Sequence, residues 1–311
     1  AADETDPAYQ QGDITLSQAL KTPGERIIVF EIGGIIDLRN SSHYNPQPDT
    51  QNRMRFLHVL EPNCVVAGET APYPGITVIG TGVRVRTSHV LFRHIRIRPG
   101  FHASTKLNVA NAFAVNANGY ESNSDPQLPF TSGPLNLENV MTDHCSLSWA
   151  PDQNCSTYPG PIGNSELIGT VRNVTFKDTI ISEPLQGRSD HANTNEHAAG
   201  CLVSNSGSDR ILFYRCLFTH CNKRAPFQIS GGLGDEAPQS AMVINSIIFN
   251  PQRQAAQAGA GGTVGPTVTM LNNVVIPGPD TQQYRKGKTP QEFSGFTSPF
   301  FVQGSPNSAA D

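Results

Sequence analysis

Charge is scarce in this chain. Asp, Glu, Lys and Arg make up 15% of its 311 residues, and 22 basic against 26 acidic side chains give a net charge of -4. Nucleic-acid binding normally leaves a basic patch or stripe, so no nucleic-acid partner is expected. Apolar runs are short as well. None approaches the roughly 20 residues that cross a bilayer, which argues for a soluble chain without membrane insertion. Amphipathic helical spacing is almost missing, with no stretch longer than Leu16 to Lys21. The six cysteines, Cys64, Cys145, Cys155, Cys201, Cys216 and Cys221, form no C-x-x-C pair and no Cys/His spacing of a zinc site. Two readings of them stay open: up to three disulfides in an oxidised extracellular chain, or buried free thiols. The start, Ala1-Ala2-Asp3-Glu4, is polar and has no h-region, so a leader, if the chain had one, is expected to have been removed.

Glycine (28) and proline (24) are plentiful, which fits many short strands joined by turns. Alternating apolar segments bear this out. They run Val90 to Ile97, Val140 to Leu147, Val174 to Ile181 and Ile211 to Phe218, with weaker copies at Ala241 to Ile248 and Val268 to Val275. The period is two and β-branched and aromatic residues dominate, so these are strands. Copies return every 27 to 50 residues or so, near the range of solenoids. Each copy reads as two short strands around a polar bend (Arg93-His94, Asp143-His144, Lys177-Asp178) that turns the chain from one sheet to the next. Stacked in register, the copies bury one continuous core and place Cys145, Thr179, Cys216 and Ser246 in one column of small residues. Domain organisation follows: one β-helix domain over 1–311, with a solenoid over 12–278, a short capping helix at its N-terminal end, and an irregular tail over 279–311.

Several segments resemble the pectate lyase family of bacteria and fungi. Gly12 to Leu20 followed by Arg26 to Gly34 is similar to the family's opening segment and first core strand. Ala67-Gly68-Glu69-Thr70-Ala71-Pro72 resembles its A-G-x-T-A-P turn. Asp143-His144-Cys145-Ser146-Leu147-Ser148-Trp149-Ala150-Pro151-Asp152 resembles its D-H-C-S-x-S-W-x-x-D stretch, and Arg224-Ala225-Pro226 its R-x-P signature. The matches keep their order over residues 12 to 250. The resemblance implies an all-β, right-handed parallel β-helix of the pectin lyase-like kind. It also implies β-elimination of a uronate polymer, with an arginine as base and calcium bridging substrate to protein carboxylates. It implies a secreted protein whose partner is an acidic polysaccharide, polygalacturonate or another uronan. Relative to the family, the chain begins late, so a first glycine-rich turn and strand are expected to be missing, replaced or supplied by a partner chain.

Carried over residue by residue, the resemblance makes Arg224 the catalytic base and Lys223, Arg188, His197 and His144 substrate-binding. Asp152, Asp143 and Asn111 become metal ligands for a weakened calcium site. Departures are plain. Asn111 stands where the family has an aspartate, Gln153 where it has an acid, Gln186 where it has the assisting lysine, and Ile229 where it has a second arginine. Calcium prefers several oxygens, ideally anionic, so two amides in place of carboxylates weaken its hold. The alternative functions are a non-catalytic β-helix that binds a glycan (a spike, adhesin or cell-wall protein) and a structural solenoid in an extracellular assembly.

Overall fold

The computed structural model describes residues 10–12, 14–41, 56–100, 111–117, 135–160, 169–185, 198–204, 207–230, 239–252, 256–259, 266–285 and 300–303. They form three eight-stranded sheets in which every neighbouring pair is parallel. Successive strands of the chain go to the first, second and third sheet in turn, so each coil of the chain contributes one strand to each. The molecule is a right-handed parallel β-helix.

The expected strand pairs are all present. Val90–Arg93 and Ile95–Arg98 alternate strictly between buried and half-buried positions. The same pairing recurs at Asn136–Asp143 with Ser146–Ser148, Thr170–Lys177 with Ile180–Ser182, and Ser208–Tyr214 with Leu217–Thr219. Between each pair sits one residue in the left-handed region: His94, His144, Asp178, Arg215, Asn245 and Asn272, with φ of 54°, 54°, 47°, 54°, 54° and 53°. Two consecutive outward residues there break the alternation, and the positive φ folds the strand around the corner into the next sheet.

Inside, the rungs stack like on like. Cys145, Thr179, Cys216 and Ser246 each precede paired strands of the second sheet and are all buried, as the repeat predicts. An aromatic stack fills the first-sheet side. Phe213 lies 5.0 Å from Phe176, 5.6 Å from Phe218 and 5.8 Å from Phe227, ring centre to ring centre. Of the cysteines, Cys155 and Cys201 pair as a disulfide across neighbouring third-sheet strands, while Cys64, Cys145, Cys216 and Cys221 are buried free thiols. Disulfide pairing thus holds for one pair of cysteines and the buried free thiol for the other four.

The capping helix is Leu16–Lys21. Thr15 caps it and Gln18 reaches back to the Thr15 N–H, a reciprocal capping box, and Leu16 and Leu20 are buried. The chain past Gly278 is more regular than expected. It forms a helix at Pro279–Arg285, pinned by Asn250 Oδ1 accepting from the backbone of Asp280 and Thr281, and a strand at Phe300–Gln303 that closes the third sheet. Composition alone hid this because the strand depends on a partner, Ala256–Gly259, more than 40 residues earlier.

Candidate active site at the edge of the third sheet

The chain enters the third sheet at the same point in each coil, so residues there stack along the helix axis. The Ala112 N–H donates to the Gln153 carbonyl, the Ala199 N–H to the Asp152 carbonyl, and the Asn222 N–H to the Ala198 carbonyl. Asn111, Asp152, Ala198 and Asn222 are thus brought to one edge from coils far apart in sequence, with Lys223 and Arg224 directly following.

Arg224 owes its position to a local irregularity. The strand Lys223–Ser230 pairs with Ala199–Ser204, matching Ala199 to Lys223 but Cys201 to Phe227, so two extra residues bulge out at Arg224-Ala225-Pro226. Arg224 has φ 58°, and the Ala225–Pro226 peptide is cis. The facing residue is Gly200: a β-carbon there would run into the Arg224 carbonyl. A bulge re-aims a side chain out of the regular alternation, and here it falls on Arg224. Burial lowers the guanidinium pKa from its ordinary value, and the nearby Asp152 charge opposes the shift. Replacing Gly200 with alanine is expected to push the bulge aside and lower any Arg224-dependent activity at least about tenfold, measured beside a melting curve. Unchanged activity would mean that the Gly200–Arg224 packing does not set the arginine.

Around Asp152 the donor set is mostly amide. Asn111 Nδ2 donates to Gln153 Oε1 at 2.6 Å, and Gln153 Nε2 donates to Asp152 Oδ1. Asn111 and Gln153 are buried, at 7% exposure each. The two amides therefore satisfy each other and one oxygen of Asp152. Lys223 is half-buried at the start of the same strand. Ile229, at the position of the family's second arginine, points into the core with 0% exposure, so no side chain there reaches the edge. Arg188, His197 and Gln186 lie outside the described residues.

Asp143 and His144 do not join this edge. They sit at the corner between the first and second sheets, separated from Asp152 by the strand Ser146–Ser148. The repeat already marks Asp143-His144 as a bend between sheets, whereas the contiguous motif that groups them with Asp152 runs on past that corner. At that corner Asp143 accepts from Lys177 Nζ at 2.8 Å and lies 2.8 Å from His144 Nδ1. Asp178 accepts from Arg215 through both carboxylate oxygens and lies 3.1 Å from Lys177 Nζ. Arg93 joins the ladder, 3.8 Å from Asp143 and 2.6 Å from Glu69. Asp143, His144 and Asp178 offer ligand atoms within 4.8 Å of one another, so this trio could hold a metal ion. Both its carboxylates already face cations, which compete for the same oxygens.

Hydrogen bonding from Arg215, against burial and with help from Lys177, pulls the Asp178 carboxyl down to about 2. An unfolded aspartate titrates near 3.9. The carboxylate therefore stabilises the fold above pH ~4, and that contribution is lost as pH falls from ~4 toward ~2. Asp178→Asn is expected to melt below the parent at pH 7 and to converge on it near pH 2. A gap that does not change with pH would remove the electrostatic account.

Among the described residues, an open cavity of about 760 Å³ lies at the first coil, between Leu16, Ala19 and the strands from Arg26 to Ile36. It holds none of the predicted site residues.

Comparison with known proteins adds to this geometry. A protein of Aspergillus flavus named probable pectate lyase C is 26% identical over 271 residues, covering 87% of this chain and 48% of that protein. Its namesake in Aspergillus oryzae is 25% identical over 271 residues, with the same coverage. Another in Emericella nidulans is 24% identical over 275 residues, 88% of this chain and 48% of that protein. The chain spans about half the length of these curated relatives. No protein-family model matches it.

Proposed function

Because the chain is a pectate lyase-like parallel β-helix, we propose that it is a polysaccharide lyase that cleaves a uronate-containing polymer by β-elimination, with Arg224 as base. The observation that carries this reading is the bulge at Arg224, on the third-sheet edge where the Asp152 charge acts on its guanidinium. An arginine is a poor base, since its ordinary pKa is above 12. Burial makes the neutral form more accessible, and the proton to be taken, on C5 of a uronate, is α to a carboxylate. In the proposed step Arg224 removes that proton, the C5–H electron pair becomes the C4=C5 double bond, and the bond from C4 to the glycosidic oxygen breaks. The leaving oxygen then takes a proton. Lys223, beside Arg224, would supply positive charge to the uronate carboxylate as charge builds. Arg188 and His197 belong to the substrate-binding set of this reading.

Calcium, which the family resemblance implies, does not fit these residues well. It prefers six to eight oxygens, ideally anionic. Among the described residues the edge offers a single carboxylate, Asp152, with one oxygen already accepting from Gln153, and the Asn111 amide nitrogen committed to Gln153. No step is routed through it. The reading places the protein outside the cell, which the Cys155–Cys201 disulfide supports, because such bonds persist in oxidising compartments. Any partner chain would meet the first coil, where Ile27, Val29 and Ile35 are exposed.

The same amides favour a second reading. A β-helix that keeps the edge but has lost carboxylates could bind an acidic glycan without cleaving it. Incubation with polygalacturonate, with calcium and with chelator, separates the two. The lyase reading expects ultraviolet absorbance from the unsaturated product to rise, with little dependence on calcium. No product from polygalacturonate or other uronans, with glycan binding retained, would leave the second reading.

A further inference from the structure

Resting on the uronan reading above, we infer that Trp149 is the stacking platform of a uronate subsite beside the Arg224 edge. Trp149 occupies the turn from the second to the third sheet, three residues before Asp152. That turn holds a left-handed residue in five successive coils: Gly100, Trp149, Glu183, His220 and Asn250 have φ of 70°, 63°, 48°, 55° and 53°. Glycine and asparagine accept such a backbone readily, whereas a bulky aromatic is sterically disfavoured there. The chain places its one tryptophan at this position and gains little burial from it, since Trp149 remains 46% exposed. A costly conformation that presents an open indole points to a use for the indole.

The ring is also held in place. Its Nε1 donates to Glu183 Oε2 at 3.1 Å, and the Arg98 guanidinium lies 5.6 Å from the ring centre. Arg98 is itself fixed by donating to the Ser146 carbonyl and hydroxyl, each at 2.6 Å. Arg96 is turned to the preceding coil, where it donates to the Thr77 hydroxyl and the Pro74 carbonyl. Arg98 therefore sets a positive charge beside the ring, while the Glu183 carboxylate already serves the indole N–H. An apolar plate with positive charge beside it suits a sugar that has an apolar C–H face and a carboxylate. A uronate meets both conditions, and a neutral hexose only the first.

Position agrees with a polymer running along the helix axis. Arg224 is two coils beyond Trp149, so the two differ by about 10 Å along the axis at ~4.8 Å per rung. A chain of several uronates bound at the edge could then place one ring on Trp149 while another meets Arg224.

The single tryptophan makes the test direct, because all indole emission comes from Trp149. Tetragalacturonate added to the parent chain, and to Arg224→Ala, which should not turn it over, is expected to shift or quench that emission saturably. Maltotetraose at equal concentration should leave it unmoved. By calorimetry, Trp149→Ala should weaken tetragalacturonate binding about tenfold and Trp149→Phe by less than about threefold, the range of aromatic stacking. The subsite is overturned by calorimetric binding without an emission change, by an equal response to maltotetraose, or by no binding at all. Should product still form from polygalacturonate in those cases, the lyase reading survives without this subsite. Emission changes without turnover would keep the subsite and remove the lyase.

Discussion

Arg224→Ala should lower the rate of unsaturated-product formation from polygalacturonate by about a thousandfold, the middle of the range for removing a positioned general base. KM should change little, because the lost interaction belongs to the transition state rather than to the bound substrate. Arg224→Lys is the sharper variant. It keeps a cation at the bulge, but the more compact ammonium on a different stem cannot reproduce the guanidinium position. Rates for both variants belong beside melting curves, since the side chain is half-buried and its removal also touches packing. If Arg224→Ala keeps more than a tenth of parent activity with an unchanged melting point, the base is another residue. Gly200→Ala complements these variants, because its β-carbon meets the Arg224 carbonyl and shifts the bulge while the guanidinium is kept.

The largest stability effect should come from the aromatic stack. Phe213 is 1% exposed and touches Phe176, Phe218 and Phe227, so it joins the inner faces of all three sheets. Cutting it to alanine removes the ring and leaves a cavity that rigid neighbouring rungs cannot close, which costs about 3–5 kcal/mol. For a chain of this length that is roughly 6 °C in melting temperature. Val29→Ala, on an outward position of the first coil that is 58% exposed, serves as control and should change stability by under about 0.5 kcal/mol. Similar losses for both variants would mean that the stack is not a single packed unit.

Two of the three sheets were legible in the sequence, and the third was not. Strands such as Val90–Arg93 have one face in the core and one toward solvent, so their alternation is written in the residues. Third-sheet strands are covered on both faces: Phe113–Asn116 is buried throughout and Gln153–Tyr158 nearly so, and their sequences show no period. The candidate edge belongs to that sheet. Motif order was enough to single out Arg224, Asp152 and Asn111, and the stacking of coils does bring all three to one edge. Motif order also grouped Asp143 and His144 with Asp152, whereas the repeat pattern had put those two at a bend, and nine residues of a β-helix pass around a corner.

The sequence by itself determined the solenoid, the column of small residues from Cys145 to Ser246, the helix at Leu16–Lys21 and the amides at Asn111 and Gln153, since each depends on local pattern or residue identity alone. Only the tertiary structure decided which cysteines pair, that Asn111 and Gln153 bond to each other, that Gly200 clears a path for the Arg224 bulge, and that Trp149 stands open beside Arg98. Those facts depend on register between coils, and register is set by how distant rungs pack.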